Sequence, residues 1–221
     1  MAQSPSFPWF DPLLTRLRAH LAAEAFPRDA AHDLGHILRV ARLAADLAAE
    51  EGADAEVCVA AALLHDLVYL PKNHPESSLT ARLAAELVPC WCREIPGLED
   101  KAEVVAAAVA THSWSGGQAP GSLEAAVVQD ADRLEALGAI GIARVFATGA
   151  SFGAGLWHPE DPWAEGRELD DKAWSLDHFE RKLLKLAAAM TTATGRRRAQ
   201  TRQATMTAYL AALRQELNPG H

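Results

Sequence analysis

The segment 55–66, with the sequence AEVCVAAALLHD, is apolar on every side and ends in a histidine and an aspartate. A helix that is apolar all round has no face to give to water, so it must lie at the centre of a helical bundle. An imidazole and a carboxylate buried at its end cost free energy unless each finds a partner. We therefore predict a central helix over 55–66 and a specific role for His65 and Asp66.

The remainder of the chain also predicts helices. Ala and Leu supply much of a hydrophobic content of 49%, while aromatic residues make up only 6%, and this mixture favours helix over strand. We interpret the segment 88–97 as a proline-bounded connection and the segment 153–175 as irregular. Outside these segments, helices are predicted over 12–25, 33–51, 78–88, 99–112 and 123–137.

Two apolar stripes at helical spacing predict further helices over about 176–217. The stripes consist of Leu176, Phe179, Leu183, Leu186 and Met190, and of Met206, Leu210, Leu213 and Leu217. With 221 residues and no long linker, the chain is predicted to be one all-α domain over 1–221, a single-domain helical bundle. The part of that bundle expected to hold the functional site is about 30–140.

Charge and cysteine content narrow the classes of function. A net charge of −8 disfavours non-specific nucleic-acid binding but leaves room for a small phosphorylated substrate. Cys58, Cys90 and Cys92 are too few for a disulfide framework, and Cys58 is expected to be a buried free thiol. The chain shows no secretory signal, and no run approaches the roughly 18 apolar residues of a membrane span. We therefore expect a cytoplasmic protein.

His36 and Asp132 add two further groups that can bind a metal. His36 lies on the predicted inward face of the helix 33–51, four residues before Val40. Asp132 lies within the apolar stretch 123–137. With the doublet, three helices supply two imidazoles and two carboxylates. Such a set suits Mn, Fe, Co, Ni or Zn and leaves coordination positions open for water.

The motifs HDLGHILRV, AALLHDL and QDADRLEALGAIGIAR resemble those of the HD-domain superfamily of metal-dependent phosphohydrolases. More narrowly, the chain resembles bacterial stand-alone HD proteins that hydrolyse nucleotides, and FERKLLKLAAAM and TTATGRRRAQTR fit the same group. The resemblance implies that one divalent ion is held by His36, His65, Asp66 and Asp132. Mn or Fe is the expected ion, with Co, Ni, Zn or Mg as alternatives, although two histidine ligands argue against Mg.

The same resemblance implies hydrolysis of a nucleotide by a metal-activated water, with nucleoside or deoxynucleoside triphosphates as the expected substrates. Asp66 would also orient that water or accept its proton. One alternative is a phosphomonoesterase or phosphodiesterase acting on other nucleotides. A second is a non-catalytic sensor domain that binds a metal and a nucleotide. A third is a structural bundle in which the four residues never meet.

Several polar residues near the proposed ligands are candidates for contacting substrate. Arg39 and Arg133 each lie within one helical turn of a proposed ligand and could bind phosphate or fix the position of a carboxylate ligand. Lys72, in the loop after the doublet, is a candidate for phosphate binding and catalysis, or a solvated loop lysine. His112, at the end of the predicted helix 99–112, is a candidate acid or hydrogen-bond donor to substrate.

Two further residues leave alternatives open. His32 is four residues before His36, so it would share a helical face with it if the helix began that early. It is then a further metal ligand, a residue that supports a ligand, or a helix cap. Asp130 and Asp132 lie on different faces of one predicted helix, and the family pattern favours Asp132 as the ligand.

Overall fold

The computed structural model describes residues 7–71, 74–113 and 118–217. These residues are helical and form no strand, apart from one isolated bridge between Gly155 and Trp174, so the prediction of an all-α fold is confirmed. Among them no single helix is both long and apolar enough to cross a membrane, although the helices Leu123–Glu135 and Gly138–Ser151 pass that test together as a bent pair. The main helices are α1 (Phe10–Ala22), α2 (Leu34–Glu51), α3 (Ala55–Leu64), α4 (Thr80–Arg93), α5 (Ala102–Ala110), α6 (Leu123–Glu135), α7 (Gly138–Ser151), α8 (Leu184–Leu186) and α9 (Ala193–Leu217).

The chain divides into two compact units, Met1–Asp132 and Arg133–His221. In the first unit, α3 packs against α1, α2 and α5. The Asp54 carboxylate begins α3 by accepting the backbone N–H groups of Glu56 and Val57 at 2.9 and 3.2 Å. Every residue over 57–64 is buried. The predicted central helix is therefore present, and it is buried on all sides as its composition requires.

Both α3 and α5 end earlier than their apolar patterns predicted. Their last residues are Leu64 and Ala110. His65, Asp66 and His112 consequently lie just beyond helix ends rather than on helix faces. The last carbonyl groups of a helix have no partner within it, so side chains at these positions can bond back to the helix that they follow.

The interpretation of 88–97 as a connection is wrong. Helix α4 continues to Arg93 and contains Pro89, although proline removes one backbone donor from a helix. Trp91, two residues later, is buried. Arg16 lies 4.2 Å from the Trp91 ring and donates to its carbonyl at 3.3 Å. These tertiary contacts stabilise a last turn that the local sequence disfavours.

In the second unit, α7 packs against α9, and the segment 153–175 is irregular as predicted. Arg167 organises this segment. Its guanidinium forms a two-point ion pair with Asp177 at 2.5 and 2.7 Å. It also donates to the carbonyls of Asp161 at 3.0 Å and Glu168 at 3.1 Å. One guanidinium therefore ties together three points of an otherwise irregular loop.

The first C-terminal stripe is buried as predicted, but its helix is not regular. It passes through a π-helical turn at Phe179–Leu183, the short α8, and a 3₁₀ turn at Ala187–Ala189. All five stripe residues are nonetheless buried. Met206 and Leu213 of the second stripe are also buried, on α9. The apolar pattern thus identified the inward face, while the local backbone adapts to packing.

The three cysteines are free thiols in different environments. Burial raises the pKa of Cys58 to about 12 and that of Cys92 to about 11. Cys90 is exposed, and a hydrogen bond to the Glu94 carboxylate raises its pKa. The expectation of a buried free thiol at Cys58 is confirmed.

Candidate metal centre

His36 lies in the first turn of α2, and its ring is buried. Asp33 precedes this helix and caps it by accepting the backbone N–H of His36 at 2.8 Å. Gly35 gives the capping carboxylate room, because a Cβ at that position would lie 3.1 Å from Asp33 Oδ1. Helix capping therefore fixes the backbone from which the His36 imidazole projects.

His65 and His112 are oriented by the same kind of local hydrogen bond. In each case the ring Nδ1 lies 2.7 Å from the carbonyl oxygen three residues earlier, that of Ala62 or Val109. A carbonyl only accepts, so Nδ1 carries the proton and donates it. In a neutral ring, Nε2 is then the nitrogen with the lone pair, which is the form that binds metals. The two rings lie edge to face, with their centroids 5.0 Å apart.

Four side chains from three separate segments converge at one point. The Nε2 atoms of His36 and His65 are 3.3 Å apart. Asp66 Oδ2 lies 3.8 Å from the first nitrogen and 3.5 Å from the second. Asp132 Oδ1 lies 3.5 and 3.8 Å from the same two nitrogens. We refer to His36, His65, Asp66 and Asp132 as the candidate metal centre.

The spacing and chemistry of these atoms fit one divalent ion. Ligand atoms about 2.1 Å from an ion lie about 3.0 Å apart at adjacent octahedral positions and about 3.4 Å apart at tetrahedral ones. The separations that involve an imidazole nitrogen are 3.3 to 3.8 Å, within or slightly above this range, and His36, His65 and Asp66 by themselves form a group whose ligand atoms all lie within 4.8 Å of one another. With both imidazoles in the neutral form that binds metals, the four groups would carry two negative charges, which a divalent cation balances.

Electrostatics keep His65, Asp66 and Asp132 in the protonation states that can bind a metal. Burial lowers the pKa of His65 to about 4, against the opposing effect of the two carboxylates, so the ring is neutral near pH 7. Burial by itself would raise the pKa of Asp66, but the imidazoles, that of His65 first, outweigh it and hold the pKa below its usual range. The pKa of Asp132 is likewise held well below its usual range, by His36 first, despite burial.

His32 lies beside this centre but not on a helix. It precedes Asp33, the residue that caps α2, so the premise of a shared helical face and the capping alternative are both wrong. Its Nδ1 donates to Asp29 Oδ1 at 2.8 Å, and its ring centroid lies 6.0 Å from that of His36. Asp29 also accepts a hydrogen bond from the Tyr69 hydroxyl at 3.1 Å. Against burial, the His32 ring lowers the pKa of Asp29 to about 2.

Sequence reasoning did not identify the supporting role of Asp29, nor that of Gln129. Gln129 on α6 is buried and donates to the carbonyls of Thr111 at 2.8 Å and Gln118 at 3.2 Å, so it fixes the backbone next to His112. A polar amide within an apolar helix was a signal for such a role. Asp29 offered no comparable signal, because its partners lie in other loops.

The remaining candidates have different positions. Arg133 is buried, and its Nη1 donates to the Ala189 carbonyl at 2.7 Å. Arg39 lies over Gly35, where a Cβ would be 3.3 Å from its Nη1. Asp130 is fully buried on α6. Lys72 lies outside the described residues. Roles in substrate binding for Arg39, Arg133 and Lys72 stay predictions.

Comparison with known proteins identifies the family. The HD domain model matches residues 33–137, which include all of the candidate metal centre. The uncharacterized protein YpgQ of Bacillus subtilis is 34% identical over 193 residues, covering 86% of this chain and 85% of YpgQ. This chain belongs to the HD-domain superfamily of hydrolases. The predicted family and enzyme class are confirmed.

Solved structures of HD proteins resemble the whole chain. The structure of Bacillus subtilis YpgQ in complex with ADP has a TM-score of 0.70 and 32% identity, and the match covers 96% of each chain. An HD-superfamily hydrolase from Bacillus thuringiensis has a TM-score of 0.69 and 32% identity, covering 94% of this chain and 96% of that protein. This HD hydrolase is therefore similar to its relatives beyond the segment 33–137.

Proposed function

We propose that this HD hydrolase is a metal-dependent phosphohydrolase that cleaves nucleotides, with nucleoside or deoxynucleoside triphosphates as its main substrates. Two imidazole nitrogens lie 3.3 Å apart, and each lies 3.5 to 3.8 Å from an oxygen of both carboxylates. This arrangement carries the proposal. The complex of YpgQ with ADP supports a nucleotide as the substrate class. The proposed ligands of one divalent ion, Mn or Fe first, are the four residues of the candidate metal centre.

A divalent ion bound there would lower the pKa of a coordinated water and neutralise charge on a phosphate oxygen. The protein's own side chains would accept the proton and hold the other groups in position. Asp66 is ionised and can only accept hydrogen bonds, so its second oxygen can take a proton from an attacking water. His65 is held in one tautomer by Ala62, which keeps its Nε2 directed at the other ligands.

His112 is suited to contact the substrate rather than the ion. Its Nδ1 already donates to Val109, so Nε2 is the nitrogen that can exchange a proton or a hydrogen bond with a phosphate or leaving group. The ring packs edge to face on His65, which places this group next to the centre. Lys72 and Arg39 remain the proposed sources of positive charge for the outer phosphates.

The test is a panel of nucleoside mono-, di- and triphosphates incubated with the protein and Mn, with the products separated by chromatography. We expect triphosphates to yield monophosphate and pyrophosphate. His65→Ala and Asp66→Ala should each lower the rate by at least about 100-fold. His178→Ala is the matched control, because it removes another imidazole paired with a carboxylate, that of Asp171 at 2.8 Å, and should leave the rate unchanged.

Each alternative function has its own outcome. Release of inorganic phosphate from monophosphates, with triphosphates intact, would identify a phosphomonoesterase. Cleavage confined to diesters would identify a phosphodiesterase. Binding of nucleotide and metal without turnover under any metal would identify a sensor domain. Turnover that persists in both His65→Ala and Asp66→Ala would refute the proposed centre.

A further inference from the structure

Arg28 and Glu24 form a buried ion pair in the connection between α1 and α2. Arg28 Nε lies 2.7 Å from Glu24 Oε2, and Nη2 lies 2.5 Å from Oε1. The two side chains are only 7% and 12% exposed. Buried ion pairs are weak stabilisers, because the cost of removing both charges from water offsets most of their attraction. General stability alone therefore gives a poor account of this pair.

The guanidinium bridges the backbone on two sides of the candidate metal centre. Nη2 donates to the Asp66 carbonyl at 2.5 Å, just after α3. Nη1 donates to the His32 carbonyl at 3.2 Å, just before α2. The group also lies 5.1 Å from the centroid of the Tyr69 ring. One planar group thus spans the loop that leads into the helix of His36 and the turn that carries Asp66.

These contacts act on parts of the chain that helical hydrogen bonds do not hold. Asp66 follows the end of α3, where backbone carbonyls have no partner within the helix. Metal sites need their ligands held to within about 0.5 Å. Only arginine offers several donors in a rigid plane, so it can hold two carbonyls and a carboxylate at once.

We propose that Arg28, held in place by Glu24, is a positioning residue for the metal centre. It sets the distance between the backbone segments that carry His36 and Asp66, and so controls metal affinity without touching the ion. This inference rests on the proposed metal-dependent function. The inference requires no metal-binding residues other than the four of the candidate metal centre.

Arg167 provides a matched control. It too forms a two-point ion pair with a carboxylate, that of Asp177, and donates to two loop carbonyls. It lies in the other compact unit. Replacing either arginine with methionine removes an equivalent set of contacts, so the two variants separate loss of local structure from loss of metal positioning.

The experiment measures the dissociation constant for Mn, from the electron paramagnetic resonance signal of free ion, together with the melting temperature. Arg28→Met should bind Mn about 10 to 100 times more weakly than the wild type. Arg28→Lys keeps the charge but not the planar set of donors, and should bind at least about threefold more weakly. Arg167→Met should lose thermal stability while its Mn affinity stays unchanged.

The two proposals fail in different ways. Arg28→Lys and Arg28→Met that melt earlier but bind Mn within threefold of the wild type would show a purely structural role and overturn the inference. If Arg28→Met does not fold, the lysine variant decides by the same threshold. Wild-type protein that binds no Mn, or His36→Ala that binds it as tightly as the wild type, would overturn the proposed function itself.

Discussion

Saturating the candidate metal centre with Mn should raise the melting temperature of the unit that contains α3. The two imidazole nitrogens already lie 3.3 Å apart and 3.5 to 3.8 Å from an oxygen of each carboxylate, so binding requires little rearrangement. An unfolded chain cannot match this, because even His36 and His65 are 29 positions apart in sequence. Free Mn at 100 times its dissociation constant then contributes about 2.7 kcal/mol. At about 2 to 4 °C per kcal/mol for a chain of this size, the expected rise is about 5 to 11 °C.

The assay is a thermal melt of chelator-treated protein across a range of Mn concentrations, with hydrogen exchange to locate the effect. Exchange should slow at α3 and at the first turn of α2. Asp132→Asn keeps the shape of the side chain but removes one charge, and should lose most of the rise. The reasoning would be refuted by a melting temperature that does not change with Mn up to millimolar concentration. An equal rise in melting temperature in Asp132→Asn and in the wild type would also refute it.

Three further predictions concern other parts of the molecule. A thiol alkylating agent at pH 8 should label the exposed Cys90 in the native protein. Cys58 should react only after unfolding, because it is buried and its pKa is raised to about 12. Mass spectrometry of the labelled peptides measures both reactions. Gly141→Ala should lower the free energy of unfolding in denaturant melts by more than about 2 kcal/mol, because its Cβ would lie 2.2 Å from a backbone oxygen. A Cβ at Gly121 would have no atom within 4 Å, so Gly121→Ala should change the free energy of unfolding by less than about 0.5 kcal/mol. The imidazole next to Asp29 lowers the pKa of that carboxyl from 3.8 to about 2, against the effect of burial. The ionised carboxylate therefore stabilises the fold fully above pH 3.8, and this contribution is lost as the pH falls towards 2. The free energy of unfolding measured from pH 5 to 2 should consequently fall less steeply in Asp29→Asn than in the wild type.

The parts of the fold that sequence predicted best depend on burial alone. The segment 55–66 is apolar on every side, and α3 is buried accordingly. The polar groups of His65 and Asp66 at its end would cost free energy if they were buried without partners, so the sequence alone indicates a specific role for both residues. Periodicity on α2 correctly gave His36 an inward position. In each case the free energy of burial depends on the residue itself more than on its partners.

Predictions failed where partners far apart in sequence decide the outcome. Pro89 argues locally for a break, yet α4 continues because Arg16, 75 positions from Trp91, packs on the last turn. Arg28 contacts Asp66 across 38 positions. Both contacts depend on how α1 and its following loop lie against the bundle, which no local pattern encodes. The role of such residues becomes visible only when the tertiary contacts are known.

His65 and Asp66 of the candidate metal centre, and His112 beside it, lie beyond helix ends rather than on helix faces, and this has a physical consequence. A residue on a helix face is held by hydrogen bonds on both sides, whereas one beyond the last turn keeps only its covalent connection and its side-chain contacts. Backbone carbonyls next to the doublet and to His112 each accept a hydrogen bond from a distant side chain. These bonds are Arg28 to Asp66 at 2.5 Å, His20 to Leu67 at 2.8 Å, and Gln129 to Thr111 at 2.8 Å. Because these donors supply the rigidity that the helices lack at these points, changes to Arg28 or His20, whose bonds lie at the doublet, should alter metal binding before they alter the fold.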